Sequence, residues 1–162
     1  MNRIIRHTDL RDLDKVMDIY DFARKRMRES GNHTQWIDGY PSREVIATDV
    51  ANGVSYVIES EGKIEGVFTF IIGDEPTYRE IEGKWLNDRP YGTIHRIASA
   101  PGAKGVADDC LEFCKSSGVD IRIDTHADNT PMLGWIAKSG FIYCGIIHVS
   151  NGTPRRAFQQ TL

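Results

Sequence analysis

His95-Arg96-Ile97-Ala98-Ser99-Ala100-Pro101-Gly102-Ala103-Lys104-Gly105-Val106-Ala107 is the stretch whose reading decides the fold. It starts inside an apolar run over Thr93–Ser99 that reads as a strand, and it passes a turn between Gly102 and Gly105. It then enters a segment with Val106, Cys110, Phe113 and Cys114 at helical spacing. A strand that turns through glycine into a helix leaves unpaired backbone N–H groups at the helix N-terminus. Such groups receive phosphate or pyrophosphate. Gly105 permits close backbone approach, and Lys104 offers a positive charge nearby. A glycine in such a turn is more often turn geometry alone, and no Gly-Lys-Ser/Thr follows to make a P-loop.

Outward from this junction the chain alternates between two periods. Ile4 and Ile5 open a short strand, and from Asp9 the residues Leu10, Leu13, Val16, Met17, Tyr20 and Met27 trace one face of a helix ending near Gly31. Ser42 is placed to cap a second helix with Val45, Ile46 and Val50 inward. Val54–Glu59 and Lys63–Ile72 form a hairpin over Glu61-Gly62. Gly73–Gly92, with Pro76 and Pro90, is a long polar connection. After the junction come a strand at Asp120–Thr125, a short helix at Met132–Ser139, and a hairpin of Phe141–Val149 with Arg155–Thr161 around Asn151-Gly152. The order β-α-α-β-β-β-α-β-α-β-β mixes hairpins with helical crossovers. It predicts an α/β (α+β) domain over residues 1–162, with one mixed, mostly antiparallel sheet flanked by helices.

Composition narrows the function classes. The 162 residues carry 20 Lys+Arg against 23 Asp+Glu, a net charge of −3, without a basic block. A nucleic-acid partner is therefore not expected. Neither an apolar leader nor a run long enough for a membrane span is present, so the expectation is a cytoplasmic protein away from the membrane. Three cysteines without a C-x-x-C pair exclude a readable disulfide framework and argue against structural zinc.

The element order and the local sequence together resemble the GNAT superfamily of acyl-CoA-dependent N-acetyltransferases. Ile94 to Gly145 carries the sharpest part of that resemblance. His95-Arg96-Ile97-Ala98-Ser99 is similar to the family's fourth strand, and Lys104-Gly105-Val106-Ala107 to the end of its pyrophosphate loop. Asn129 followed by Lys138-Ser139-Gly140-Phe141 is similar to the family's Asn and its Lys-x-Gly-Phe. The loop's usual Gln/Arg is absent, with Gly102 in its place when the loop is the anchor. The resemblance implies acetyl-CoA as co-substrate, held by Ile97, Ala98, Ser99, Gly102, Lys104, Gly105, Val106, Ala107 and Asn129. It also implies direct transfer of the acetyl group to a primary amine of a small molecule or peptide. The alternative is a non-catalytic module that holds acyl-CoA as ligand or sensor.

Within that resemblance His95 is the candidate general base, since a neutral imidazole has a suitable ordinary pKa. A half-buried strand histidine that only hydrogen-bonds is the plainer reading. Tyr91 and Thr93 share its strand face at two-residue steps, and Gln35, Trp36 and Tyr40 on the loop between the first helices complete the expected acceptor pocket. The family's acidic Tyr falls at Ile136, which leaves Tyr143, Cys144 or water as proton source. Asp124, His126 and Asp128 alternate as metal ligands do, but no second His/Cys pair supports them, and no metal is expected. Exposed sheet edges leave room for a homodimer.

Overall fold

Lys63–Ile72 is the longest alternating run, and it becomes the strand on which both faces of the molecule are organised. The computed structural model describes residues 3–162. Its strands are β1 (Arg3–His7), β2 (Ser55–Ser60), β3 (Lys63–Ile72), β4 (Glu82–Gly83), β5 (Tyr91–Ser99), β6 (Asp120–Thr125), β7 (Ile142–His148) and β8 (Pro154–Gln160). Its helices are α1 (Leu13–Glu29), α2 (Arg43–Ala51), α3 (Val106–Lys115) and α4 (Thr130–Lys138). The strands form one sheet in the order β1-β2-β3-β5-β6-β8-β7-β4. Every neighbouring pair is antiparallel except β5 with β6, so the expected mixed, mostly antiparallel sheet is present.

Alternation sends successive residues to opposite faces. Val57 and Val67 pack under α1 and α2 with Val16, Ile19, Tyr20 and Ile46. Their neighbours Ile58 and Phe68 pack under α3 and α4 with Val106, Cys110, Ile121 and Ile136. Burying each such aliphatic side chain contributes roughly 1.5–3 kcal/mol. Gly66 lets α3 sit low on the sheet, because a Cβ there would lie 2.5 Å from Val106 Cγ1. Among the described residues no helix is long and apolar enough to cross a membrane.

Three details differ from the sequence reading. Leu10 does not join the apolar face of α1. Asp9 and Asp12 form a reciprocal cap around a single 3₁₀ turn, the α-helix begins at Leu13, and Leu10 is 62% exposed. The Gly73–Gly92 connection is not structureless, since it carries a 3₁₀ turn at Pro76–Tyr78 and the two-residue β4. The last helix starts two residues earlier than expected because Asn129 caps it, its Oδ1 accepting from Met132 N–H at 3.3 Å.

Candidate active site

The site begins with one extra residue in β5. Val67 pairs with Ala98 and Thr69 with His95, so Phe68 alone faces both Arg96 and Ile97. Arg96 takes a left-handed backbone (φ 49°), unusual for a residue with a Cβ. Buried polar contacts hold it there. The Tyr20 hydroxyl donates to Arg96 O at 2.6 Å, and the guanidinium grips both Asp49 oxygens at 2.9 and 3.0 Å. Its Nη1 also donates to the Tyr40 hydroxyl at 2.8 Å. Burial raises the Tyr20 hydroxyl pKa, so this donor keeps its proton. Meanwhile β5 pairs with β6 only from Tyr91 to Thr93, and beyond that point the two strands part.

One cavity lies on the α3 side of this parting. It measures about 370 Å³ and is walled by Ile97–Ser99, Gly105–Asp108, Pro131 and Trp135, with Ala23, Arg26 and Ser30 of the α1 region opposite. Gly105 is the N-cap of α3 at φ +75°, with no side-chain cap, and the first turn of the helix lines the cavity. Asp108, on the cavity wall, accepts the Nε1–H of Trp135 on Oδ1 at 2.8 Å. Asp109 points away and pairs with Arg3 at 2.9 Å. Arg26 supplies a positive charge on the facing wall.

A second cavity of about 400 Å³ opens on the other side of β5. His95 Nε2 lies 3.3 Å from Glu75 Oε1, and both side chains are less than one-fifth exposed. Thr77 donates to Glu75 Oε2 through its N–H at 2.7 Å and its hydroxyl at 2.8 Å. The contact with His95, assisted by Thr77, holds the Glu75 carboxyl down at about 2 against the opposing effect of burial. The Tyr78 hydroxyl donates to Asp124 Oδ2 at 2.6 Å, and Arg155 completes this wall. Opposite stand Gln35, Trp36 and Tyr40. Their loop is pinned by Arg28, which donates to Gln35 O and Trp36 O, and by Asn129, which donates to Gln35 Oε1 at 3.2 Å. The two cavities share Met27, Ile97, Asn129 and Met132.

The structure thus brings His95, Gln35, Trp36 and Tyr40 to one cavity, Ala98, Ser99, Gly105, Val106 and Ala107 to the other, and Ile97 and Asn129 to the border. Several expected residues lie elsewhere. Lys104 lines a separate surface hollow with Arg3, Asp109 and Glu112, because Gly105 turns the chain away from the cleft before the helix begins. Gly102 sits in the exposed turn, outside the cleft walls. Tyr91 and Thr93 share the His95 face but are covered. The Tyr91 ring lies against the Arg122 guanidinium at 3.8 Å and accepts Glu75 N–H on its hydroxyl, and Thr93 is fully buried. Tyr143 is half exposed near the start of β7, edge-on to Phe158, far along the strand from the cavity wall at Val149. Ile136 is wholly buried in the α3–α4 core. His126 hydrogen-bonds Thr34 through Nε2 at 2.7 Å and accepts Asp128 N–H on Nδ1. Among the described residues no cluster of three His, Cys, Asp or Glu side chains is arranged for a metal.

Glu75, Arg96 and Arg155 carry no signal in the sequence, and Asp124, which alternates with His126 and Asp128 as metal ligands do, instead accepts the Tyr78 hydroxyl. The acid-rich Asp74–Glu82 stretch signals a cation-attracting segment. Nothing local signals that Glu75 reaches His95 twenty residues on.

Comparison with solved structures finds the same fold. An acetyltransferase of the GNAT family from Streptococcus agalactiae 2603 superposes with a TM-score of 0.87 at 33% identity, covering 99% of this chain and 95% of that one. A GNAT-family acetyltransferase from Listeria monocytogenes 4b F2365 gives 0.74 at 21% identity over 99% and 95% of the two chains. A chain of the NatC complex bound to a Gag peptide and CoA gives 0.60 at 15% identity over 100% and 99%, a likeness of fold alone. The sequence matches no protein-family profile and no curated protein.

Proposed function

The chain belongs to the GNAT family of acetyltransferases, and from that premise we propose that it moves an acetyl group from acetyl-CoA directly to an amine held against His95. The observation that carries this reading is the pair of cavities meeting at the β5 bulge, one ending on an uncapped helix N-terminus and the other on a histidine–carboxylate pair.

In this reading the CoA pyrophosphate lies on the first-turn N–H groups of α3, with Arg26 across from it. The thioester reaches the border residues Ile97, Asn129 and Met132. Past Thr93 the β5 backbone no longer pairs with β6, so this edge offers N–H donors for the thioester carbonyl as charge develops on its oxygen. The neutral acceptor nitrogen attacks the carbonyl carbon. The new N–C bond forms, the C–S bond breaks, and the proton lost by nitrogen passes to His95, directly or through one water.

Glu75 fits the role of positioning His95. With Nε2–H directed at Oε1, the ring leaves Nδ1 free to accept, and the ionised carboxylate stabilises the imidazolium that forms. Thiols ordinarily ionise near 8.5, so the departing sulfur leaves as the anion and takes its proton from water. No side-chain acid is required in place of Ile136. The His95–Glu75 pair also favours turnover over mere retention of acyl-CoA, which needs no base.

Thermal denaturation tests the donor half. Millimolar CoA or acetyl-CoA raises the melting temperature by mass action, and ATP and NAD do not. Absence of any shift with CoA removes the reading.

A further inference from the structure

Arg155 is a cation that takes no part in the acetyl-transfer steps. Of the two arginines lining the acceptor cavity, Arg96 is fully engaged by Asp49 and Tyr40. Arg155 is only 13% exposed, yet its guanidinium makes no hydrogen bond to any described residue, and its Nε is buried without a partner. Asp124 Oδ1 lies 3.7 Å from Nη1, too far for a hydrogen bond, and Oδ2 is taken by the Tyr78 hydroxyl. Asp124 therefore balances the charge of Arg155 while leaving its donors open. Leaving the buried Nε without an acceptor is costly, and the guanidinium fork matches the geometry of a carboxylate. On the same cavity the Thr125 hydroxyl is also buried without a partner.

The opposite charge stands on the β5 side, where Glu75 lies beside His95. Arg155 is on β8, two strands from β5 in the sheet, which separates their backbones by roughly 10 Å plus the splay. Side chains reaching inward from both strands leave room for a compact molecule. Resting on the acetyl-transfer reading above, we propose that the acceptor is an aminocarboxylate, its carboxylate docked on Arg155 and its amine presented to His95.

The test compares acceptors that differ only at the carboxylate. Glycine, L-alanine, β-alanine, γ-aminobutyrate and ε-aminocaproate are assayed with acetyl-CoA beside their carboxamides. At least one acid is expected to exceed its amide by tenfold to a hundredfold in kcat/KM, the usual worth of a charge-assisted contact. Arg155→Gln brings that ratio close to one, and Arg155→Lys, which keeps the charge and loses the fork, falls between. Amides acetylated as well as acids by the parent protein overturn the inference and leave the acetyl-transfer reading standing. A ratio unchanged in Arg155→Gln overturns it as well, as does an equal loss on both sets, which marks a structural pairing with Asp124. If CoA binds but no amine is acetylated, the acetyl-transfer reading fails, and calorimetry in the presence of CoA decides the inference. Acids bound at least tenfold tighter than amides by the parent, and equally by Arg155→Gln, support it, and equal binding by the parent refutes it.

Discussion

Replacing Glu75 by Gln removes one charge and keeps the shape, so it isolates what the carboxylate contributes to His95. The Glu75 carboxyl falls from its ordinary 4.5 to about 2. Through proton linkage that corresponds to roughly 3 kcal/mol as an upper bound, and with both partners still partly wetted about 1–2 kcal/mol is expected. The sign follows from the depressed value. The contribution is fully present above the unfolded pKa near 4.5 and is lost as pH falls through about 2. Urea denaturation of parent and Glu75→Gln across the acid range should therefore show a gap at pH 5 that narrows as pH falls toward 2. The same variant should lower kcat/KM by about a hundredfold, since the amide neither stabilises the imidazolium nor fixes the tautomer. A stability gap that persists undiminished at pH 3, or no gap at pH 5, refutes the pairing as the source of the low pKa.

Three further outcomes follow from named contacts. His95→Ala should remove the acidic limb of the kcat/KM profile and cost about 10²–10⁴-fold while CoA affinity is retained, with exposed His148 as the control that keeps the limb. Gly105→Glu should abolish CoA binding, because φ +75° strains any side chain and the carboxylate sits at the phosphate approach, whereas Lys104→Ala should leave CoA affinity within about twofold, read by calorimetry. Asp49→Ala should destabilise the fold by about 3–5 kcal/mol in urea titration, since it strands the buried Arg96 guanidinium with only the Tyr40 hydroxyl.

What was legible in the sequence follows from the range over which each signal acts. β3 and β6 were bounded correctly because alternation and hydrophobic content are local properties. Ser42 was readable as a cap, and its hydroxyl accepts Val45 N–H as such a residue should. The strand–glycine–helix junction was readable for the same reason. The β5 bulge was not, because an arginine in the left-handed region has no sequence signature, and its support comes from Tyr20, Asp49 and Tyr40 on three other segments. Shared strand face placed Tyr91 and Thr93 beside His95, but periodicity does not report what covers them. The 73–92 connection folds over that end and delivers Glu75 in their place. Likewise Lys104 is adjacent to Gly105 in sequence, and the αL turn at Gly105 sends it to another surface.

In the proposed function the two cavities meeting at β5 are the donor and acceptor halves of one acetyl-transfer site. Thiol release from acetyl-CoA, followed together with mass spectrometry of the amine across small amines and peptide N-termini, tests it most directly. Thiol and acetylated amine are expected in equal amounts, dependent on added acceptor, lost in Gly105→Glu and strongly reduced in His95→Ala. Thiol release that is independent of the amine and yields only acetate, or CoA that binds with no acceptor ever acetylated, contradicts it.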